Sequence, residues 1–214
     1  YRIYTANTGG DKVIALTFDD GPWPETTEAI LDILDQYDAK ATFFTIGNQI
    51  EQHADMVKRA HDAGHQICTH TWDHASGSGQ GVNLTYMTAE EQISEVQKGM
   101  EAISSATGAD ASTVMRAPGG NFFGDLVWTL QPYITAEVGW NVDTEDWRRP
   151  GVDAIVERIE SAQPGDVILM HDGGGDRSQT VEALRQALPV LKEKGYRFVT
   201  VDELLAYPIP TSNE

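Results

Sequence analysis

Short apolar runs alternate with amphipathic stretches along most of the chain. Residues 13–18 are apolar and run into Asp19-Asp20-Gly21-Pro22, as a strand ending in a turn does. In 25–37, Ala29, Ile30, Ile33 and Leu34 recur at helical spacing, with Thr26 or Thr27 placed to cap the helix. The pattern then predicts a strand at 41–46, a helix at 49–63 stopped by Gly64, and a third strand at 66–69. A Gly/Ser loop at 77–81 leads to a long amphipathic helix, 88–107. Ile93, Val96, Met100 and Ile103 share one of its faces, and Thr88 with Glu91 opens it as a capping box. Further strands are predicted at 113–116, 134–138, 140–142, 166–170 and 197–201. Helices are predicted at 124–131, 152–162 and 179–194, the last stopped by Gly195, with a final helical turn at 202–206.

Repeated strand–helix units of this spacing predict an α/β fold, a parallel sheet with crossover helices. About seven such units fit a distorted, incomplete (β/α) barrel of about seven parallel strands better than a full eightfold one. Nothing along 1–214 reads as a linker or repeat, so a single domain is expected, with 208–214 as a linker stub or frayed end.

The chain is 40% hydrophobic and 22% charged, ordinary for a soluble globular protein, and it has no apolar run long enough to span a membrane. Its net charge of −18, from 33 acidic and 15 basic residues, argues against nucleic acid and anionic lipid as partners. A neutral or cationic substrate fits better. Tyr1-Arg2-Ile3-Tyr4 has neither an initiator Met nor a signal-peptide core, as in a mature or trimmed chain. The single cysteine, Cys68, follows Ile67 in a predicted strand and reads as a buried core thiol, not a metal ligand.

The polar motifs fall at the carboxyl ends of predicted strands, the face that carries the active site in α/β barrels. Asp19-Asp20 follows the first strand, and His70-Thr71-Trp72-Asp73-His74 follows the third. Arg116-Ala117-Pro118-Gly119-Gly120, Asp143–Trp147 and His171-Asp172 follow later ones. Each has an ordinary reading alone: Asp-Asp-Gly-Pro is a common turn, His-x-x-x-His a solvated pair, and His171 a buried core histidine. Together, in phase with the strand ends, they point to a hydrolytic metal site. One carboxylate and two imidazoles can hold a divalent ion with a position left for water, and a spare carboxylate can take that water's proton. His53, His61 and His65 lie on or just after the 49–63 helix and read as structural or solvated.

These five ordered motifs resemble those of the NodB-type polysaccharide deacetylases, family 4 of the carbohydrate esterases, over about residues 11–207. The resemblance implies removal of acetyl groups from N-acetylglucosamine polymers such as chitin oligosaccharides or peptidoglycan. It implies Asp20, His70 and His74 as ligands of one divalent metal ion, Zn²⁺ first, Co²⁺ or Ni²⁺ otherwise. By position Asp19 resembles the general base, Arg116 the residue that holds it, His171 the general acid and Asp146 the carboxylate paired with that histidine. Trp147 and Leu169 resemble the walls of the acetyl pocket. Gly119 stands where the family often has an aromatic, so the oxyanion-binding N–H is kept while a groove-lining side chain is lost. Trp72, beside the metal motif, is a further candidate for stacking on sugar, as are Trp23, Phe122 and Phe123.

The expected enzyme is thus a metal-dependent deacetylase acting on a neutral acetylated polysaccharide or oligosaccharide. It is expected to be a monomer, secreted or held at the surface of a bacterium. Other readings are an acetylxylan esterase of the same family, an amidase for small amides, and an inactive carbohydrate-binding relative.

Overall fold

The computed structural model describes residues 2–75 and 83–210; the predicted 77–81 loop and the last residues of the tail lie outside them. Its elements in chain order are β1 Arg2–Ile3, β2 Val13–Asp19, α1 Thr26–Gln36, β3 Ala41–Thr45, α2 Gly47–Gln52, α3 Ala54–Asp62, β4 Gln66–Thr69, α4 Ala89–Thr107, β5 Val114–Met115, α5 Leu126–Leu130, β6 Ala136–Val138, β7 Val142–Asp143, α6 Val152–Glu160, β8 Val167–His171, α7 Ser178–Glu193, β9 Arg197–Phe198 and α8 Val201–Leu204.

The ladders joining β2 through β8 are all parallel, in the order β6-β5-β4-β3-β2-β8-β7, with short β1 added beside β6 and β9 beside β2. β6 and β7 lie near opposite ends of this path, yet only residues 139–141 separate them in sequence. At 3.3–3.6 Å per extended residue, that link reaches at most about 14 Å. The sheet must therefore curl until its two edges nearly meet. β1 fills the remaining gap: Gly139 N–H donates to Ile3 C=O, and the chain after it pairs Thr5 with Asp166 in one antiparallel bridge. The incomplete barrel expected from the sequence is the fold observed.

Strand alternation sorts the side chains. Ile14, Leu16 and Phe18 of β2 pack outward with α1 and α7 residues, whereas Val13 and Ala15 join Phe44, Cys68, Val114, Val138 and Val167 inside the curl. Extending that parity to the carboxyl ends turns Asp19, His70, Arg116 and His171 inward on one rim. Cys68 is the core thiol expected, and burial pushes its pKa up to about 12.

Local details depart from the sequence reading. The single helix expected over 49–63 is two, α2 and α3, broken at His53 (φ −139°, ψ 44°) so that both can pack against α4. Neither Thr26 nor Thr27 caps α1; the Thr27 hydroxyl instead accepts the Trp23 N–H at 2.8 Å. The Thr88–Glu91 capping box is present as predicted. His65 is buried, with its Nδ1 accepting the Ala41 N–H, and burial lowers its pKa to about 4.

Candidate active site

Asp19 and His171 are direct register partners on adjacent strands β2 and β8. Each is gripped from behind. Arg116, fully buried, donates from Nη1 to Asp19 Oδ1 and to Thr17 Oγ1, both at 2.8 Å. Its Nε and Nη2 donate to the carbonyls of Val138 and Gly139, and its guanidinium lies 4.3 Å from the Phe44 ring centre and 5.4 Å from that of Trp140. Such a planar fork has little freedom left, so one Asp19 oxygen is fixed and the other faces the site. On the other side, Asp146 Oδ1 pairs with His171 Nδ1 at 2.7 Å, while Oδ2 accepts the His171 N–H and the Thr180 hydroxyl. Burial by itself would lower the His171 pKa. The hydrogen bond and charge of Asp146, with the charges of Asp20 and Asp19, outweigh it and raise the value to about 9.

Asp20, His70 and His74 form the third group, with one ligand atom from each within 4.8 Å of the others. His70 and His74 Nε2 stand 3.4 and 3.3 Å from Asp20 Oδ1. Ligands held about 2.0–2.1 Å from a tetrahedral ion are roughly 3.3–3.4 Å apart, so the spacing fits a first-row divalent cation. The donor set fits as well. His70 Nδ1 donates to the Arg116 carbonyl at 2.7 Å, which leaves Nε2 as the lone pair of the neutral ring facing the site. Asp20 Oδ1 is buried yet makes no hydrogen bond. Burial would raise the Asp20 pKa, but His70, 3.4 Å away, and with it His171 and His74, hold it well below the usual carboxylate range when their rings carry charge. Asp20, Thr71 and His74 all adopt positive φ, at 80°, 71° and 59°. For residues with a Cβ this costs energy and marks a backbone held for a purpose.

The remaining sequence candidates divide. Leu169 is buried on β8, one alternation before His171, and Trp147 is half exposed with Arg148 stacked on its ring at 4.8 Å. Gly119 sits in the 3-10 turn at 118–120 with φ 65°, a conformation in which an aromatic side chain would be strained. Trp72 is not brought to the carboxylates. Its ring packs on Gly47 and lines a groove with Ile50, Ala54, Lys98 and Glu101 between α2 and α4. Phe122 belongs to the core beneath α4 and α5, while Phe123 is exposed.

Several residues at the site carry no sequence signal. Thr180 and Thr27 are ordinary helix-start residues to local pattern, but they bond Asp146 and Asp172. Glu95 of α4 accepts the Trp72 N–H; burial and the nearby Asp73 push its pKa up to about 8. Glu137 accepts the Ala117 N–H beside Arg116.

A family model described as polysaccharide deacetylase matches residues 6–133. The chain is 42% identical over 201 residues to a peptidoglycan-N-acetylglucosamine deacetylase of Bacillus cereus, covering 92% of this chain and 90% of that protein. It is 35% identical over 210 residues to a chitooligosaccharide deacetylase of Bradyrhizobium, covering 92% and 93%. Among solved structures, a peptidoglycan N-acetylglucosamine deacetylase in complex with a naphthalenyl N-oxidanyl-benzamide superposes with TM-score 0.86 at 32% identity, covering 98% of this chain and 95% of that one.

Proposed function

The chain belongs to the polysaccharide deacetylase family, and from that premise we propose that it is a metal-dependent hydrolase removing N-acetyl groups from N-acetylglucosamine polymers. Residues 1–214 form a single catalytic domain with a core of about 11–207, it works outside the cell or at the bacterial surface, and Zn²⁺ is its first-choice ion. The observation that carries the reading is the pairing of Asp19 with His171 across adjacent strands, beside a cradle of Asp20, His70 and His74. A base and an acid thus flank one point. A divalent ion in that cradle supplies Lewis acidity for the acetyl carbonyl and lowers the pKa of water.

The protein's own groups do the rest. Arg116 holds Asp19 Oδ1, so Oδ2 accepts the proton of the attacking water. The water oxygen bonds to the acetyl carbon, and the carbonyl oxygen gains charge, for which the backbone N–H at Gly119 is the donor in this reading. His171, its Nδ1–H on Asp146, gives the Nε2 proton to the sugar nitrogen as the C–N bond breaks. Acetic acid and a neutral amine leave, and the Asp19 proton passes to His171 to restore both groups; in solution the acid then ionises and the amine takes up a proton. An amine anion is a very poor leaving group, so a positioned acid favours amides over esters as the substrate. Leu169 and Trp147 form the acetyl pocket. The −18 charge suits a neutral polymer whose product is cationic.

Acetate release from N-acetylglucosamine oligomers and peptidoglycan, with and without chelator, tests this. Chelator-sensitive release supports it. Strong activity on acetylxylan with no acetate from any N-acetylglucosamine substrate would move the protein to the ester-cleaving branch. No activity on either, with metal bound, would make it an inactive binding relative.

A further inference from the structure

Asp172 is a buried carboxylate that this chemistry does not use. Its Oδ1 accepts the Gly21 N–H at 3.0 Å, and its Oδ2 accepts the Thr27 hydroxyl at 2.9 Å. Thr27 in turn accepts the Trp23 N–H. The Asp172 and Gly173 N–H groups both donate to the Asp19 carbonyl, at 3.0 and 3.4 Å. The segment from Asp19 to Trp23 is therefore tied to the end of β8 and the start of α1 at three points, with Asp20 between them.

The fit leaves no slack. A Cβ on Gly21 would fall inside the Asp172 carboxylate, and one on Gly173 would meet the Asp20 carbonyl. These two glycines let the two strand ends interlock. The interlock matters because successive strand residues point to opposite faces. Asp19 and Asp20 nevertheless serve one site, the first on Arg116 and the second beside His70 and His74. Only the left-handed backbone at Asp20, φ 80°, folds the second carboxylate back toward the first. Such a conformation persists only where its surroundings over-determine it.

We propose that Asp172, with Thr27, is a positioning residue for the metal cradle: it clamps the Asp20–Gly21 turn so that Asp20 aims at His70 and His74 while Asp19 stays on Arg116. The inference rests on the metal-dependent reading above.

The test is Co²⁺ affinity by calorimetry at a temperature well below every melting point, together with kcat and KM at saturating Co²⁺ and thermal melts. The chains compared are the parent, Asp172→Ala, Thr27→Val, Gly21→Ala, the Gly21→Ala/Asp172→Ala pair, and Leu184→Ala as a core-destabilised control. Loss of an outer partner of a ligand weakens metal affinity by about 10–100-fold, which is the fall expected for Asp172→Ala. Its kcat should fall with little change in KM. Thr27→Val keeps the shape and removes one hydrogen bond; a smaller loss of affinity is expected, and this variant reads the same clamp if Asp172→Ala does not fold. Gly21→Ala should weaken binding alone but cost little more on top of Asp172→Ala, because the clash partner is then gone. Leu184→Ala should melt lower yet bind Co²⁺ as the parent does. Parent-like affinity and kcat in both Thr27→Val and Asp172→Ala, whatever their melting points, would overturn the clamp alone. A parent that binds no Co²⁺ would overturn the metal reading and the clamp with it.

Discussion

The two sides of the site are built differently. On the side of Asp19–Arg116 and Asp146–His171, the charged groups are closed by hydrogen bonds within the protein: Arg116 spreads over four acceptors and Asp146 takes three donors. On the side of Asp20, His70 and His74, closure fails. Among the described residues, the buried side-chain atoms without a partner are Asp20 Oδ1 of the triad, Thr71 Oγ1 of the loop that carries it, and Oε1 of Glu95, the α4 residue that accepts the Trp72 N–H of that loop. Left-handed backbone occurs there at Asp20, Thr71 and His74, and on the closed side at Glu145, next to Asp146. Buried polar groups are nearly always satisfied, so a cluster of orphans is informative. The closed side is organised by hydrogen bonds within the fold; the open side leaves buried polar atoms unpaired around the Asp20, His70 and His74 cluster proposed to hold a metal.

The largest effect expected from this contrast is on the closed side. Asp19→Asn should lower turnover by about 10²–10⁴-fold, the range for a lost general base, while metal affinity stays near that of the parent. Lost metal with retained turnover would reverse the assignment of the two sides.

His171→Ala should damage amide cleavage far more than cleavage of an activated aryl acetate, whose leaving group needs little protonation. Equal losses on both substrates would mean that His171 only positions. The pH dependence follows from its raised pKa. The protonated form, and the stability it contributes, is complete below about 6.5 and fades as pH rises through about 9. Asp146→Asn removes the charge that raises it, so the basic limb of kcat/KM should move to lower pH. An unmoved limb would assign that limb to another group.

The open side predicts a smaller, purely thermodynamic effect. Zn²⁺ at about 100 times its Kd should stabilise the fold by about 2.7 kcal/mol, read as a chelator-reversible rise in Tm. His74→Ala should abolish that rise and Asp146→Asn should not; a rise surviving in His74→Ala would place the ion elsewhere.

The smallest effect is set by Thr180. Thr180→Val removes one of three hydrogen bonds to Asp146, worth about 0.5–1.5 kcal/mol, so kcat/KM should fall by about 2–12-fold with Zn²⁺ affinity unchanged. A change in metal affinity in this variant would mean that the two sides are not independent.

Legibility followed the range of the interactions. The strands, most helices and the Thr88–Glu91 box were readable because alternation, 3.6-residue spacing and capping are local. The break at His53 was not, since the apolar pattern runs through it and packing on α4 decides it. Trp72 stands between His70 and His74 in sequence, yet Gly47 opens a slot that draws its ring to the α2–α4 groove. Thr27 had the composition of a cap, but a buried carboxylate far along the chain claimed its hydroxyl instead.

By itself the sequence determined the class of fold, the barrel rim and the side chains on it. Strand ends and side-chain parity are properties of a short segment, and five segments each brought its polar residue to its own end. What tertiary structure alone decided is how those residues face one another. Asp20 turns back toward Asp19 in a left-handed backbone form whose neighbours are bonded by the ends of β8 and β3 and by Thr27 of α1. Arg116 reaches Asp19 only because the sheet curls β5 toward β2 across its interior. Contacts between residues about a hundred or more positions apart leave no trace in local pattern, so the sequence could name the chemistry but not its geometry.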